Sequence, residues 1–277
     1  MLTADVRRGI IKNTYHPRYL IRDNPLVSVI VAGNSGSSDV RACLEAFYEN
    51  GNYANCEVIV VGEEFSDLLW RRPVRFLDCA ASQSQESAFN KAVGQANGQY
   101  TFFLDGCARL LTPQSLPYML CNAQRKEVGI VGPKILYRTE AIYSAGIVMG
   151  RSEGLFAHTF QGRTDIGDRY AANTIRNYLA VSNLCFLVAK NKFQGAGGYD
   201  EQFGSTVLSQ LDLCLKLHES GHRNLYTPFV TVYNQVPVEK PLDGNGAQRF
   251  RAKWHKYLDY DPYYSPNLSR KRADFSI

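Results

Sequence analysis

The sequence of 277 residues has no long hydrophobic run, since no stretch approaches the roughly 18 consecutive apolar residues that a membrane-spanning helix requires. This argues against a transmembrane segment but leaves contact with a membrane surface open. There is also no internal repeat at a fixed period, which argues against a repeat architecture. Low-complexity segments are missing too, and 45% of the residues are hydrophobic, which is enough for one large globular domain with or without appendages.

Cysteine pairs with the CxxC spacing of metal and redox sites are not found. The seven cysteines are scattered, and an odd number in a chain without a signal peptide predicts reduced thiols in the cytoplasm. We therefore predict a cytoplasmic protein, with a peripheral position at the inner face of the membrane as an open alternative.

The chain has little excess charge of either sign. Its 31 basic and 26 acidic side chains leave a net charge of only +5. The excess is concentrated in residues 249–256, which hold four basic residues and no acid, and in residues 270–272. These clusters are either a solvated helix face and a basic tail, or a contact surface for phosphates, anionic lipid or an acidic partner. With no recognition motif and so little charge, nucleic-acid binding is not expected.

What the sequence does contain is an alternation of predicted strands and helices over its first 130 residues. Continuous β-branched or apolar runs predict buried strands at residues 26–33, 56–62, 74–79 and 101–105. Amphipathic spacing predicts helices at residues 38–51, at 85–98 with Gly98 as the terminator, and at 115–125 with Ser115 as the cap. This pattern is typical of an α/β fold with a mostly parallel central sheet and helices on both faces.

Ligands of such sheets bind beyond the carboxyl ends of the strands, where Glu63, Glu64 and Asp105 are expected. The second half of the chain is more mixed. Further strands are expected at residues 141–150, 179–190 and 224–234, and further helices at 207–223 and 247–258. A glycine-rich loop at residues 195–203 contains Asp200 and Glu201.

In this order, the segments resemble family 2 glycosyltransferases of the GT-A fold, which transfer sugars from nucleotide diphosphates. The similarity is strongest to the bacterial, rhamnosyltransferase-like subgroup that builds O-antigen and other surface polysaccharides. It covers residues 25–277 and is carried by PLVSVIVAG, EVIVVG, SAFNKAVGQANGQYTFFLD, VGIVGPKILY, AIYSAGIVMG, GGYDEQF, LDLCLKLHESGHR and DPYYSPNLSRKRADFS. It implies a nucleotide-sugar donor, a glycan acceptor, and a GT-A domain at residues 25–258 between an N-terminal extension (1–24) and a Tyr/Pro-rich basic tail (259–277).

In the family, as the resemblance implies, two carboxylates after the fourth strand hold Mg²⁺ or Mn²⁺ on the donor diphosphate. Another carboxylate accepts the proton of the acceptor hydroxyl, and a late histidine completes the site. This sequence departs from that pattern at four positions, where the second-strand acid, the second metal ligand, the base and the histidine fall on Gly62, Cys107, Gln210 and Asn234. A thiol is a poor ligand for these hard ions, and an amide accepts no proton at neutral pH. We therefore expect no metal cofactor unless Asp105 alone suffices to hold Mg²⁺ or Mn²⁺.

Some family positions are retained. The resemblance implies donor contacts from Asp105 and Asn90, and Glu63 and Glu64 are candidates to replace the acid missing at Gly62. Each of these also has a plain interpretation as a strand-end, helix-surface or surface residue.

The catalytic residue is not identified, and the weak candidates for it are Asp200, Glu201 and Asp212. Asp200 is alternatively a turn cap, and Asp212 is better explained as a structural residue. His158 stands at a family-like position, although a lone histidine is more often a packing or surface residue.

Three functions are compatible with these residues. The first is a catalytically degenerate glycosyltransferase domain that serves as a scaffold or partner for other domains or subunits in a polysaccharide-assembly system. The second is an active, metal-independent glycosyltransferase in which basic side chains replace the ion. The third is a carbohydrate-binding module that does not recognise nucleotides.

Overall fold

A computed structural model describes residues 3–33, 36–62, 73–78, 84–151, 154–164, 168–235, 242 and 244–277. The strands of this part of the chain are β1 (Ala4–Arg8), β2 (Tyr15–Tyr19), β3 (Val27–Ala32), β4 (Cys56–Val61), β5 (Val74–Leu77), β6 (Tyr100–Leu104), β7 (Ala108–Leu110), β8 (Val128–Tyr137), β9 (Ile142–Ser144), β10 (Ile147–Met149), β11 (Phe156–His158), β12 (Arg176–Tyr178), β13 (Cys185–Ala189) and β14 (Arg223–Asn234). The helices are α1 (Ser37–Asn50), α2 (Gln85–Gln95), α3 (Ser115–Ala123), α4 (Lys190–Gly195), α5 (Thr206–Glu219) and α6 (Asn245–Asp259). None of the helices in these ranges has the length and apolar character that crossing a membrane requires.

The centre of the molecule is one ten-stranded sheet with the order β12-β14-β8-β13-β6-β3-β4-β5, in which β7 also pairs with β14 and β9 with β8. Strands β6, β3, β4 and β5 are parallel neighbours, as the first half of the sequence predicts. Beyond them β13 runs antiparallel to both β6 and β8, while β8 and β14 are parallel to each other. The predicted α/β class is confirmed, and the antiparallel β13 makes the whole sheet mixed.

Strand β3 shows why its sequence is apolar at nearly every position. Val29 and its alternate neighbours pack on one face of the sheet with Phe47 of α1, whereas Ile30 and Ala32 pack on the other face with Phe89 of α2. A strand covered on both faces has no solvent side, so polar alternation is lost. Helices α5 and α6 cover the same face as α2, and α3 covers the face of α1.

Two predicted element boundaries were wrong at glycines whose backbone lies close to another part of the chain. Helix α2 ends at Gln95, and Gly98 instead donates its N–H to Ser28 Oγ at 2.8 Å, where an added Cβ would lie 2.5 Å from that oxygen. The strand predicted at residues 141–150 is divided into β9 and β10 at Gly146, which has φ +107° and faces the ring of Tyr178.

Two further boundaries differ from the prediction. Helix α3 begins at Ser115 itself, so the residue in the cap position is Gln114 with φ 62°, and the Ser115 hydroxyl donates to the Thr112 carbonyl. The strand predicted from residue 179 begins only at Cys185, because the preceding residues turn and Leu184 N donates to Ser182 Oγ.

Both chain ends pack on the body in this structure. The β1–β2 hairpin is attached through His16, whose ring stacks on Phe229 with a centroid distance of 3.6 Å. At the other end, Tyr264 is buried and its ring lies 4.9 Å from that of Phe275. The division of the chain at residues 24 and 258 stays a prediction.

Candidate functional site

The residue that follows β6, Asp105, lies at the carboxyl edge of the parallel strands. Its carboxylate accepts a hydrogen bond from the backbone N–H of Cys107 at 2.9 Å, which closes a tight turn after the strand. Burial raises the pKa of Asp105, and that hydrogen bond only partly offsets the effect. One oxygen of the retained acid is therefore already used within its own loop.

An ion pair fastens this loop to helix α1. Arg109 is only 9% exposed and donates to the carbonyls of Gly106 and Ala108 at 2.8 and 3.0 Å. Its other terminal nitrogen lies 3.0 Å from Asp39 Oδ1, in the first turn of α1. Cys107 Sγ lies 4.0 Å from the second oxygen of the same carboxylate. The position of the second family acid thus holds the thiol of Cys107, and the carboxylate beside it, Asp39, is already paired with Arg109.

These residues do not fit the divalent ion that the resemblance implies. Mg²⁺ and Mn²⁺ require several oxygen ligands, whereas this loop offers the half-buried Asp105 and the thiol of Cys107, and α1 adds only the Arg109-bound Asp39. Across the ranges that the structure describes, no group of three His, Cys, Asp or Glu side chains is arranged to hold a metal.

The base position of the family is occupied by a buried amide. Gln210, 1% exposed, accepts a hydrogen bond from the Tyr199 hydroxyl at 3.0 Å and donates to Cys214 Sγ at 3.6 Å. Burial also raises the pKa of Tyr199 well above its ordinary value, so this phenol stays protonated. A cavity of about 20 Å³ between Asp105 and Tyr199 has room for about one water molecule. Neither the Gln210 amide nor the protonated Tyr199 hydroxyl accepts a proton at neutral pH.

Asp212, the acid retained in α5, is fully buried at the contact between α5 and α6. Its oxygens lie 2.7 Å from Lys216 Nζ and 2.6 Å from Lys253 Nζ, and Oδ1 accepts from Trp254 Nε1 at 2.9 Å. Trp254 is 3% exposed, so it packs against the body. This arrangement agrees with the structural interpretation of Asp212.

The acids of the glycine-rich loop are placed differently from one another. Asp200 accepts from Gln202 N at 3.1 Å and so caps a short 3₁₀ turn, while its other oxygen is 3.6 Å from Lys253 Nζ. Glu201 is exposed to solvent. The capping alternative for Asp200 therefore has direct geometric support.

Asn90 fastens helix α2 to the same loop. Its side chain makes two hydrogen bonds with the backbone of Tyr199, accepting from N and donating to O, each at 2.9 Å. Gly198 permits this approach, because an added Cβ there would lie 2.6 Å from Asn90 Oδ1. The geometry gives Asn90 a positioning role for the Tyr199 segment.

We expect Asn90→Ala to lower the free energy of unfolding by about 1–2 kcal/mol, because it removes both bonds and leaves the Tyr199 backbone without its partner. Urea unfolding measures the change, and Lys91→Ala, at the exposed neighbouring helix position, is the matched control. Equal midpoints for the two variants would contradict the positioning role.

The remaining candidates are Gly62, Asn234 and His158, of which Asn234 lies beside the loop after β6. Gly62 has φ +148° and an added Cβ would lie 3.1 Å from Gly33 Cα, so an acid at this position would need the backbone to move. Asn234 is buried at the end of β14, opposite Ala108 of β7. His158 is 6% exposed, with its ring 4.7 Å from that of Tyr143.

Glu63 and Glu64 lie outside the described residues.

Sequence reasoning missed Asp39, Arg109 and Tyr199. One signal was available for Arg109, which is a single cation between the buried apolar residues of β7 and therefore needs an anionic or hydrogen-bonding partner. Nothing in the sequence identifies Asp39 as that partner.

No family model matches the chain. Two curated relatives are similar over nearly all of it: the uncharacterized protein y4gI of Sinorhizobium fredii (29% identity, 97% of this chain) and the O-antigen biosynthesis protein RfbC of Myxococcus xanthus (26% identity, 95% of this chain). The chain spans 32% of the first relative and 22% of the second.

Two solved structures share the fold. Over 88% of this chain and 50% of the other, the structure matches GalNAc-T7 with UDP, GalNAc and Mn²⁺ at a TM-score of 0.69 and 14% identity. Over 84% of this chain and 62% of the other, it matches a mannosyltransferase of Pyrobaculum calidifontis in complex with GDP-Man and Mn²⁺ at a TM-score of 0.56 and 16% identity. The chain therefore has the GT-A glycosyltransferase fold, and it is similar in sequence to part of an O-antigen biosynthesis protein.

Proposed function

We propose that this chain is a glycosyltransferase-like domain of a bacterial polysaccharide-assembly system, that it does not carry out metal-dependent sugar transfer, and that it acts as a scaffold or partner module. The observation that carries the proposal is the loop after β6, where Asp105 bonds to the Cys107 backbone and Arg109 pairs with Asp39. In this loop the retained acid and the neighbouring guanidinium are bound to protein groups, and the second acid position is a thiol.

In this proposal the chain lacks not only the second metal ligand but also the catalytic base and the late histidine. The base position is the buried Gln210, and the late histidine position is the buried Asn234. A general base and a group that stabilises developing charge each typically contribute about 10²-fold or more to the rate. The fold does not need these groups, because its two main hydrophobic clusters are built from the sheet and the covering helices.

A second candidate, an active metal-independent transferase, is favoured by one observation. Arg109 places a nearly buried guanidinium at the end of β6, and guanidinium groups bind phosphate oxygens strongly. In that case Arg109 would have to exchange Asp39 for the donor diphosphate, and the base would be a residue other than Gln210.

Calorimetric titration with UDP, GDP, dTDP and their sugars, with and without Mn²⁺, tests the proposal. We expect Mn²⁺ to change no nucleotide affinity, since Asp105, Cys107 and Asp39 do not supply a matching set of oxygen ligands. Parallel titrations of Asp105→Ala show whether any binding occurs at this strand end.

A rise in nucleotide affinity of about tenfold or more on adding Mn²⁺ would overturn the loss of the metal site. Metal-independent nucleotide binding together with sugar transfer or donor hydrolysis would replace the proposal with the second candidate.

A further inference from the structure

Strand β1 has an open edge. The β1–β2 hairpin forms a sheet of its own, and among the strands that the structure describes only β2 pairs with β1. Strand β2 contacts helix α3, whereas every residue of β1 after Ala4 is exposed, and Val6 is 62% exposed. An unpaired strand edge is a template for pairing with another chain, so β1 can accept a further strand.

The hydrogen bonds of the hairpin show which backbone groups this edge presents. Near the turn, Gly9 N donates to the Thr14 carbonyl at 2.8 Å. At the other end, Leu20 N donates to the Thr3 carbonyl at 2.9 Å. Because bonded and non-bonded pairs alternate along an antiparallel ladder, the odd-numbered residues between these ends bond to β2. The backbone groups that point outward from the edge are therefore those of Ala4, Val6 and Arg8.

The charged side chains of β1 are complementary to those of a second copy of the same strand. Asp5 and Arg7 lie on one face, and their side chains are 52% and 55% exposed. Antiparallel pairing centred on Val6 would place Asp5 of each copy opposite Arg7 of the other. Pairing centred on Asp5 or on Arg7 would instead place like charges opposite each other, which is unfavourable. Charges that normally discourage edge pairing therefore favour one register here.

The opposite face of β1 would add an apolar contact. His16, on the face of Arg7, stacks on Phe229, so the face that carries Val6 points away from the body. In the register centred on Val6, the two copies of this exposed side chain would be direct neighbours. Pro17 lies opposite Val6 on β2 and would extend the apolar row on both sides. Apolar cross-strand neighbours stabilise a sheet.

We propose that the β1 edge joins two copies of this chain through an antiparallel β1–β1 pair centred on Val6. The two hairpins then form one four-stranded sheet, and two-fold symmetry makes each contact occur twice. Strand addition at an open edge supplies main-chain hydrogen bonds, while the side chains fix the register. The proposal goes beyond the proposed function and rests on the hairpin alone, so it does not depend on whether the chain transfers sugar.

Sedimentation velocity of the full chain over a series of concentrations tests the proposal. We expect a monomer–dimer equilibrium. Asp5→Arg and Arg7→Asp should each raise the dissociation constant of the dimer by at least about tenfold, because each places like charges opposite each other twice. Arg22→Asp is the matched control, since Arg22 is an exposed cation that follows β2 and lies outside the β1 edge. It should leave the dissociation constant unchanged.

An equimolar mixture of the Asp5→Arg and Arg7→Asp variants tests the register. In a mixed dimer one edge carries two cations and the other two anions, so the mixture should associate about as tightly as the parent. This recovery would also show that both variants fold.

Four results would each overturn the proposal. They are a parent chain that stays monomeric at about 1 mM, a dimer that neither reversal weakens, equal weakening by Arg22→Asp, and a mixture that associates no better than either variant alone.

Discussion

Replacing Asp212 by alanine is expected to lower the free energy of unfolding by about 3 kcal/mol, because it removes the buried centre of the contact between α5 and α6. The carboxylate has no exposed surface and contacts Lys216, Lys253 and Trp254 with distances of 2.6 to 2.9 Å. Without it, the Trp254 indole N–H stays buried with no acceptor. The two lysines are 22% and 38% exposed and can turn toward water, which keeps the loss at the lower end of the usual range for buried pairs.

Urea unfolding of three variants measures this effect. Glu219→Ala removes the exposed partner of Lys256 and should cost less than about 1 kcal/mol. Asp212→Asn keeps an acceptor for Trp254 and should fall between the two. An Asp212→Ala variant as stable as Glu219→Ala would show that the pair contributes nothing. A transfer activity abolished by Asp212→Asn with unchanged stability would instead make Asp212 the base.

Much of the fold was predictable because buried strands are recognisable from their apolar composition. Residues 26–33 and 56–62 are apolar at nearly every position, and both correspond to strands of the parallel part of the sheet. Some element boundaries were less predictable, since Gly98 and Gly146 act through contacts with Ser28 and Tyr178 that are distant in sequence.

The candidate site was predictable only in its residue types. The resemblance located Asp105, Cys107 and Gln210, but the partners that fix their chemistry lie far away along the chain. Asp39 precedes Arg109 by 70 residues, and only the fold brings them to 3.0 Å.

A dependence of stability on pH is expected from Asp261, which begins the DPYYSPNLS segment. Its carboxylate is 1% exposed and accepts from Met149 N at 2.9 Å and Tyr263 N at 2.8 Å. Burial raises the pKa of Asp261 from 3.8 to about 6, and those hydrogen bonds only partly oppose it. Because the folded protein binds this proton more tightly than the unfolded chain, the stabilisation is complete below pH 3.8 and is lost as the pH rises through about 6.

At about 1.4 kcal/mol per pH unit, this contribution falls by up to about 3 kcal/mol between pH 4 and pH 7. Asp261→Asn cannot titrate, so its stability relative to the parent should improve by that amount over the same interval. His16, His218 and His222 have pKa values lowered by burial and act in the opposite sense, but they do so equally in parent and variant. Asp259→Asn, at an exposed position two residues earlier, is the control and should show a constant difference from the parent. A constant difference for Asp261→Asn as well would mean that Asp261 is ionised throughout, with its two backbone donors outweighing its burial.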